Sequence, residues 1–253
     1  MLAPAPSPVA LDRLVKRYKA VTAVDGISFS IEAGSCTALL GGNGAGKTTT
    51  ISTIMGLVEP TSGHVTVLGV AMPRGRHRVL HRMNFESPYV NMPMRLTVRQ
   101  NLNVFGMLYG CDDVGGRIRA LSEEFDMGEF LDRATGKLSA GQKTRVALAK
   151  SLINQPEILL LDEPTASLDP DTADWVRGRL EHYRRERGAT VLLASHNMSE
   201  VERLCDRVIM LKRGRIEDDD TPSGLIARYG RTNLEEVFLD IARGTGEARE
   251  AAQ

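Results

Sequence analysis

The 253-residue chain lacks several features that mark particular classes of protein. It carries no formal net charge, because 32 Lys and Arg residues balance 32 Asp and Glu residues. Its three cysteines show no CxxC spacing, and no apolar run approaches the ~18 residues of a membrane-spanning helix. These absences argue against nucleic-acid binding through bulk positive charge, against a disulfide or zinc framework, and against a chain that itself crosses a membrane. We therefore expect a cytoplasmic protein with reduced thiols.

The remaining composition is ordinary for a globular protein, with 42% hydrophobic and 25% charged residues. A chain of this length can bury a large core without metals or disulfides. Residues 1–8 are rich in Ala and Pro and lack the basic start and apolar centre of a secretory signal. We predict a flexible tail there.

Strand patterns occur in the first third of the chain and again near its end. Residues 26–31 and 64–69 alternate apolar and polar side chains, which is typical of half-buried strands. Continuous apolar runs, as expected of parallel strands covered on both faces, occupy residues 37–40, 158–161 and 190–194.

Helical patterns lie between and after these runs. Residues 174–187 and 198–205 predict helices, and residues 207–216 predict a hairpin. Between the early and late strands, apolar residues recur at helical spacing from Thr97, a capping residue, and again over 142–153. Strands that alternate with helices predict an α/β fold with a mostly parallel sheet.

The strongest motif runs from Gly41 to Thr49 with the sequence GGNGAGKTT, which fits the phosphate-binding pattern GxxxxGK[ST]. Glycines let successive backbone N–H groups point at a phosphate, and the positive end of the following helix adds to the attraction. In this pattern Lys47 reaches the β- and γ-phosphates of a nucleotide, and the Thr48 hydroxyl binds Mg²⁺. The alternative is an ordinary glycine-rich turn after a strand.

An acidic pair, Asp162 and Glu163, follows the buried run at 158–161. Ligands of open α/β sheets lie at this C-terminal end of the strands. We predict that Asp162 helps to hold Mg²⁺ and that Glu163 polarises the attacking water. Alone, two acids after an apolar run are often only a solvated strand end, but the phosphate loop upstream favours the functional interpretation.

Three further motifs decide the family. The segment Leu138-Ser139-Ala140-Gly141-Gln142 opens a helix upstream of Asp162, Ser167-Leu168-Asp169 follows Glu163, and His196 ends the next buried strand. Together with the phosphate loop and the acidic pair, this arrangement over residues 9–216 resembles the nucleotide-binding subunit of ABC transporters.

The resemblance implies that two such domains pair head to tail and enclose ATP between them. It implies catalytic roles for Glu163, His196 and Lys47, Mg²⁺ binding by Thr48 and Asp162, and stacking of Tyr18 on adenine. Ser139 and Gly141 would act on the nucleotide held by the other subunit. The nucleotide-binding residues that it implies are Tyr18, Gly41, Asn43, Gly44, Ala45, Gly46, Lys47, Thr48, Thr49, Ser139, Gly141, Gln142 and Asp169.

The implied fold is a P-loop NTPase core with a mostly parallel sheet, an N-terminal antiparallel β part and an inserted α-helical subdomain. We predict the core over 9–87 and 154–221, the helical subdomain over 88–153, and a C-terminal helical tail over 222–253.

The chain departs from the family where a glutamine normally links Mg²⁺ to the membrane partner. Ungapped counting places Pro88 there, and Glu86 or Ser87 can substitute only if the loop shifts.

Near this loop the family docks a helix of its membrane subunit. We expect a docking groove lined by Phe85, Tyr89, Met92, Met94 and Tyr109, because methionine adapts to irregular surfaces; the alternative is scattered core methionines.

The resemblance predicts an ATPase subunit on the inner face of the cell membrane, held there by an integral membrane subunit and paired with a copy of itself or a paralogue. The tail over 232–239 is similar to those of exporters of drugs, lipids or polysaccharides. The alternatives are a soluble ABC ATPase in cofactor assembly, or one acting on ribosomes or nucleic acid. We expect no nucleic-acid partner, since the net charge is zero and the chain has one cassette.

Overall fold

The computed structural model describes residues 7–87 and 92–244. Most of the predicted N-terminal tail, the end of the chain after residue 244, and both Pro88 and Tyr89 lie outside these residues. The strands are β1 (Val9–Tyr18), β2 (Val21–Ile31), β3 (Cys36–Leu40), β4 (Ser62–Val67), β5 (Val70–Ala71), β6 (Met83–Glu86), β7 (Ile158–Asp162), β8 (Thr190–Ala194), β9 (Arg207–Lys212) and β10 (Arg215–Asp220).

The α-helices are α1 (Lys47–Ile54), α2 (Val98–Leu108), α3 (Val114–Glu124), α4 (Ala140–Ser151), α5 (Pro170–Arg187), α6 (Met198–Leu204), α7 (Pro222–Tyr229) and α8 (Leu234–Arg243). Short 3₁₀ helices occupy Arg76–Arg78, Leu80–Arg82, Gly128–Phe130 and Thr135–Lys137. The chain forms two compact units: one combines the residues up to Val79 with those from Thr190 onward, and the other runs from Leu80 to Ala189.

The first unit contains an antiparallel sheet in the order β2-β1-β4-β5. Its register aligns Val9 with both Ile31 and Val67, and these three side chains are fully buried. In the same unit β3 pairs in parallel with β8 on one side and with β9 on the other, while β10 pairs antiparallel with β9. The phosphate-loop segment therefore begins at the carboxyl end of a central, fully buried strand.

The second unit places the parallel strands β6 and β7 with helices α2 to α5. Its core includes Phe125, Leu102 and Leu121, which are almost completely buried. Helix α4 begins at Ala140 and α5 at Pro170, so both the segment around Ser139 and the one around Asp169 lie at helix starts.

The predicted α/β fold with parallel strands and an N-terminal antiparallel part is confirmed. Thr97 caps α2 as expected, with its hydroxyl accepting from the Gln100 backbone N–H. Helix α3 has no counterpart in the predictions, because Gly115 and Gly116 weaken its helical pattern. Asp113 offsets this by accepting from the Gly116 backbone N–H at 2.8 Å.

Cys36, Cys111 and Cys205 are free cysteines in the structure. The structure nevertheless brings Cys36 and Cys205 together, with their Sγ atoms 3.4 Å apart in the core of the first unit. Their 169-residue separation in sequence hid this contact. The hydrogen bond between Cys205 and Cys36, together with burial, raises the pKa of the Cys205 thiol well above its ordinary value.

Candidate active site

The phosphate-loop segment is held open by its own backbone. The Ala45 N–H donates to the Gly42 carbonyl at 3.1 Å, and the Thr50 N–H and hydroxyl both donate to the Gly46 carbonyl at 2.9 Å. Helix α1 starts at Lys47 with no side-chain cap, so its first N–H groups are available to an anion. The Lys47 ammonium lies over the loop and donates to the Gly41 carbonyl at 2.6 Å.

Two glycines of this loop are required by close packing. A Cβ on Gly46 would lie 2.6 Å from the Ala23 carbonyl oxygen, and a Cβ on Gly41 would lie 2.5 Å from the Leu211 carbonyl oxygen. Gly46 also has a φ of 110°, which L side chains rarely adopt. Gly42 has no neighbouring atom within 4 Å of a built Cβ.

This contrast yields a paired prediction. Gly46→Ala combines a backbone clash with an unfavourable φ, at a cost of ~1–3 kcal/mol, and we expect it to raise the Kd for ATP ~10–100-fold. Gly42→Ala is the matched control in the same loop and should leave the Kd unchanged. Calorimetric titration with ATP measures both, and an equal response of the two variants would contradict the assignment of Gly46.

Other predicted residues of the first unit lie at element ends. Tyr18 closes β1 and is 45% exposed, and the Lys16 ammonium lies over its ring, 5.0 Å from the ring centre. His196 follows β8 and is exposed to solvent. Next to it, the buried Ser195 hydroxyl donates to Glu200 at 2.7 Å and holds the start of α6.

The acidic pair of the second unit follows a strand end, as predicted. Asp162 is the last residue of β7 and Glu163 begins the following turn; both are half-buried. Glu163 has a φ of 56° and Ser167 a φ of 62°, two non-glycine residues in the left-handed region. Such strain costs ~1–3 kcal/mol per residue and is concentrated at functional sites. The turn is pinned by the Ala166 N–H, which donates to the Glu163 carbonyl at 3.1 Å.

The segment from Leu138 to Gln142 forms a capping box. The Ser139 hydroxyl accepts from the Gln142 N–H at 3.2 Å, and the Gln142 side chain accepts from the Ser139 N–H at 3.1 Å. Helix α4 begins at Ala140, within the segment predicted to open a helix, and Ser139 is exposed at its positive end. This geometry can present a hydroxyl and N–H groups to an anion.

A pocket of about 360 Å³ adjoins this helix start within the second unit. Ser139, Gly141 and Gln142 line it together with Trp175 and Arg145, which sequence reasoning missed. The Arg145 guanidinium lies 4.9 Å from the centre of the Trp175 ring, a cation–π contact that fixes the pocket wall. Because Trp175 is the only tryptophan of the chain, its fluorescence reports on this pocket.

Asp169 caps α5 and does not project freely. Its two carboxylate oxygens accept from the Thr172 N–H at 3.0 Å and from the Thr172 hydroxyl at 2.7 Å. These hydrogen bonds lower the pKa of the Asp169 carboxyl. A Cβ added to Gly141 would lie 3.6 Å from the Thr172 hydroxyl, so Gly141 lies beside the threonine that Asp169 binds.

These local geometries match a known family. The family model described as ABC transporter matches residues 24–166, more than half of the chain. The chain belongs to the ABC transporter family. It is an ATP-binding cassette, the ATPase part of such transporters, as the phosphate loop and the helix starts at Ser139 and Asp169 predict. Among the described residues, no helix of this cassette is both long and apolar enough to cross a bilayer.

Relatives and solved structures match most of the chain. The cassette is 36% identical, over 92% of its length and 77% of the relative's, to the Nod factor export ATP-binding protein I of Burkholderia lata. The protein of the same name from Paraburkholderia xenovorans is 37% identical over 91% of this chain and 76% of its own. An ATP-binding subunit of an ABC transporter has a similar structure, with a TM-score of 0.85, 26% identity, and coverage of 93% and 100%.

A second solved structure resembles the cassette as well. It is a dimeric ATP-binding cassette in a post-hydrolysis state bound to ADP and Pi, with a TM-score of 0.74 and 27% identity. The match covers 84% of this chain and 98% of that one.

Glu86, weighed above as a substitute for the missing glutamine, is engaged within the second unit. Its carboxylate lies 2.7 Å from the Lys150 ammonium, and both side chains are buried. The two groups therefore form a buried ion pair. Burial raises the pKa of Glu86, and Lys150 opposes that rise. A shift of this loop that freed Glu86 would therefore break a buried pair.

Proposed function

We propose that this cassette hydrolyses ATP to drive export of a drug, lipid or polysaccharide-type molecule through a separately encoded membrane subunit. The observation that carries the proposal is the match over 92% of the chain to relatives named for Nod factor export. The predicted exporter-like tail supports it, since its residues enter the amphipathic helix α8. The membrane subunit, which lines the path, selects the molecule that is moved.

In the proposed reaction the phosphates of ATP lie on the N–H groups at the start of α1 and against Lys47. Glu163 takes a proton from the attacking water. The water oxygen bonds to the γ-phosphorus, and the bond between that phosphorus and the bridging oxygen, which leaves with ADP, breaks. His196 donates to a γ-phosphate oxygen, and the Tyr18 ring stacks on adenine. The half-exposed ring and the exposed imidazole support these roles.

Thr48 and Asp162 are proposed to hold Mg²⁺. The exposed Thr48 hydroxyl and the half-buried Asp162 carboxylate offer the oxygen ligands that Mg²⁺ prefers. The ion would supply positive charge to the β- and γ-phosphate oxygens when bound.

We further propose that the cassette pairs with a copy of itself or a paralogue at the inner face of the cell membrane. Ser139 and Gly141 then act on the nucleotide held by the other subunit. Support comes from the exposure of Ser139 at a positive helix end and from the likeness to a dimeric cassette. The proposed domains remain a core over 9–87 and 154–221 with helical residues over 88–153, the range that contains α2, α3 and α4.

The proposed docking surface for the membrane subunit differs in part from the expected groove. Met92 is buried, whereas Met94 is exposed, Phe85 is half-buried, and Tyr89 lies outside the described residues. Tyr109 lines a pocket of about 410 Å³ within the second unit. Three further exposed apolar side chains, which were absent from the predicted groove, lie on α2 before Tyr109: Val104, Met107 and Leu108.

We predict that Leu108→Asp prevents docking of the membrane subunit. Leu108 is 71% exposed, so a charge there should leave the fold intact while it opposes burial in an apolar interface. Leu239→Asp, at an exposed leucine of α8, is the matched control. The tagged variants are purified from gently solubilised native membranes, and the co-eluting multi-span protein is quantified.

Each outcome of that purification bears on the proposal. Loss of the membrane protein from Leu108→Asp but not from Leu239→Asp supports the docking surface. Equal recovery with both variants would contradict it. A wild-type cassette that brings down ribosomes or a soluble assembly factor, and no membrane protein, would overturn the transport function itself.

A further inference from the structure

A cluster of exposed arginines in the first unit has no part in the ATPase site. Arg74, Arg76 and Arg78 lie in and before a short 3₁₀ helix, and all three are exposed. Among residues 7–87 and 92–244, no carboxylate forms an ion pair with any of them. Since the whole chain has no net charge, this local excess of positive charge is a distinct feature of the surface.

The arginine cluster is held in a defined position. The Arg76 guanidinium donates to the Gly56 carbonyl at 2.8 Å, and a Cβ on Gly56 would touch the Arg76 side chain. The Gly75 N–H donates to the Ala71 carbonyl at 3.0 Å, and a Cβ on Gly75 would lie 2.3 Å from the Val70 side chain. The basic segment is therefore packed against the rest of the first unit rather than extended into solvent.

An exposed apolar side chain completes the surface. Leu57 is 66% exposed and follows Gly56, the residue that Arg76 contacts. Glu59 is the nearby acidic residue in sequence, so the segments 56–59 and 73–79 together retain a positive excess. Arginines beside an exposed leucine suit a bilayer surface, whose headgroups are anionic and whose acyl chains are apolar. A free phosphate would contact the arginines but not Leu57.

We propose that Leu57 and the arginine cluster form a membrane-contact patch that binds the anionic headgroups of a phospholipid bilayer. The guanidinium groups pair with lipid phosphates, and Leu57 enters the headgroup boundary. The patch lies at the end of α1 opposite the phosphate loop, ~12 Å away along an eight-residue helix. Lipid binding here goes beyond ATP hydrolysis and does not require it.

The test is co-sedimentation of the purified chain with vesicles of phosphatidylcholine, with or without phosphatidylglycerol. Each basic residue near an anionic surface strengthens binding about fivefold, so the Arg74→Gln, Arg76→Gln, Arg78→Gln triple variant should bind about 100-fold more weakly. The control replaces Arg95, Arg119 and Arg185 by Gln, three exposed arginines elsewhere with the same total charge change. If the triple variant does not fold, Arg74→Gln alone is tested instead, because it leaves the hydrogen bond from Arg76 to the Gly56 carbonyl intact.

We expect the wild-type chain and the control to sediment with the anionic vesicles and to be released by high salt. Leu57→Ser should weaken binding without changing the salt dependence. Equal binding to neutral vesicles, or equal loss in the control variant, would overturn the proposal. So would binding of this patch only to a membrane protein and not to lipid. ATP turnover without vesicles should be the same in all folded variants, which separates this result from the ATPase assignment.

Discussion

Replacing Glu163 by Gln is expected to lower ATP turnover ~10²–10⁴-fold, the range typical of losing a general base. Glutamine keeps the volume and most of the polarity of the side chain but cannot take a proton from water. The residue sits in a strained turn with a φ of 56°, and a near-isosteric change leaves that backbone undisturbed. ATP binding rests on the first unit and should persist, so the variant should accumulate as an ATP-bound dimer.

Steady-state phosphate release measures the loss, and gel filtration with ATP and Mg²⁺ measures the dimer. Glu123→Gln is the matched control, because Glu123 is an exposed residue of α3 in the same unit. It should behave as wild type in both experiments. Wild-type turnover in the Glu163→Gln variant would refute the role assigned to this residue.

Replacing Lys150 by Met is expected to destabilise the protein by ~3–5 kcal/mol, because it leaves the Glu86 carboxylate buried without its cation. Both partners are nearly inaccessible, with side-chain exposures of 3% for Lys150 and 9% for Glu86. The centre of the Phe105 ring lies 5.6 Å from the Lys150 ammonium, so one side of the ion pair faces an aromatic side chain. The double variant Glu86→Leu, Lys150→Met removes both charges and should recover most of the loss. Urea unfolding measures all three proteins.

The pH dependence gives an independent check. Burial raises the pKa of Glu86, so its contribution to stability is greatest in acid and is lost as pH rises through the folded-state pKa. Without Lys150 that pKa should rise further, because the opposing positive charge is gone. The deficit of Lys150→Met should therefore shrink as the pH is lowered.

Arg99→Met is the control for that stability experiment. It breaks the Arg99–Asp132 pair of the same unit, a bidentate contact at 2.7 and 2.8 Å on the surface. Exposed pairs contribute little, so this variant should unfold close to wild type at every pH. A deficit equal to that of Lys150→Met would show that burial of the Glu86 pair is unimportant.

Sequence patterns located most elements, to within a few residues. The apolar run at 190–194 coincides with β8, and the hairpin expected over 207–216 appears as β9 and β10. Helix α5 begins at Pro170, four residues before the predicted 174, because Asp169 and the proline start it earlier. Strand β6 carries a short, mixed sequence, MNFE, and became a strand only by pairing with β7.

The candidate site could be predicted where chemistry is local to a motif. The turn after β3 and the caps at Ser139 and Asp169 depend on residues within a few positions of each other, so their sequence is sufficient to place them. The docking surface was predicted less well. Its methionines were chosen by composition, whereas exposure depends on which face of α2 the rest of the second unit covers.

The sequence by itself determined the class of protein and located the phosphate loop, the helix caps at Ser139 and Asp169 and the strand-end acids, because each of these is encoded in a short stretch. The tertiary structure alone decided which glycines are indispensable, since Gly46 is crowded by Ala23 and Gly42 by nothing. It also decided that Glu86 pairs with Lys150 and that Cys36 meets Cys205. These contacts join segments far apart in the chain, and their energies come from burial, which no local pattern records.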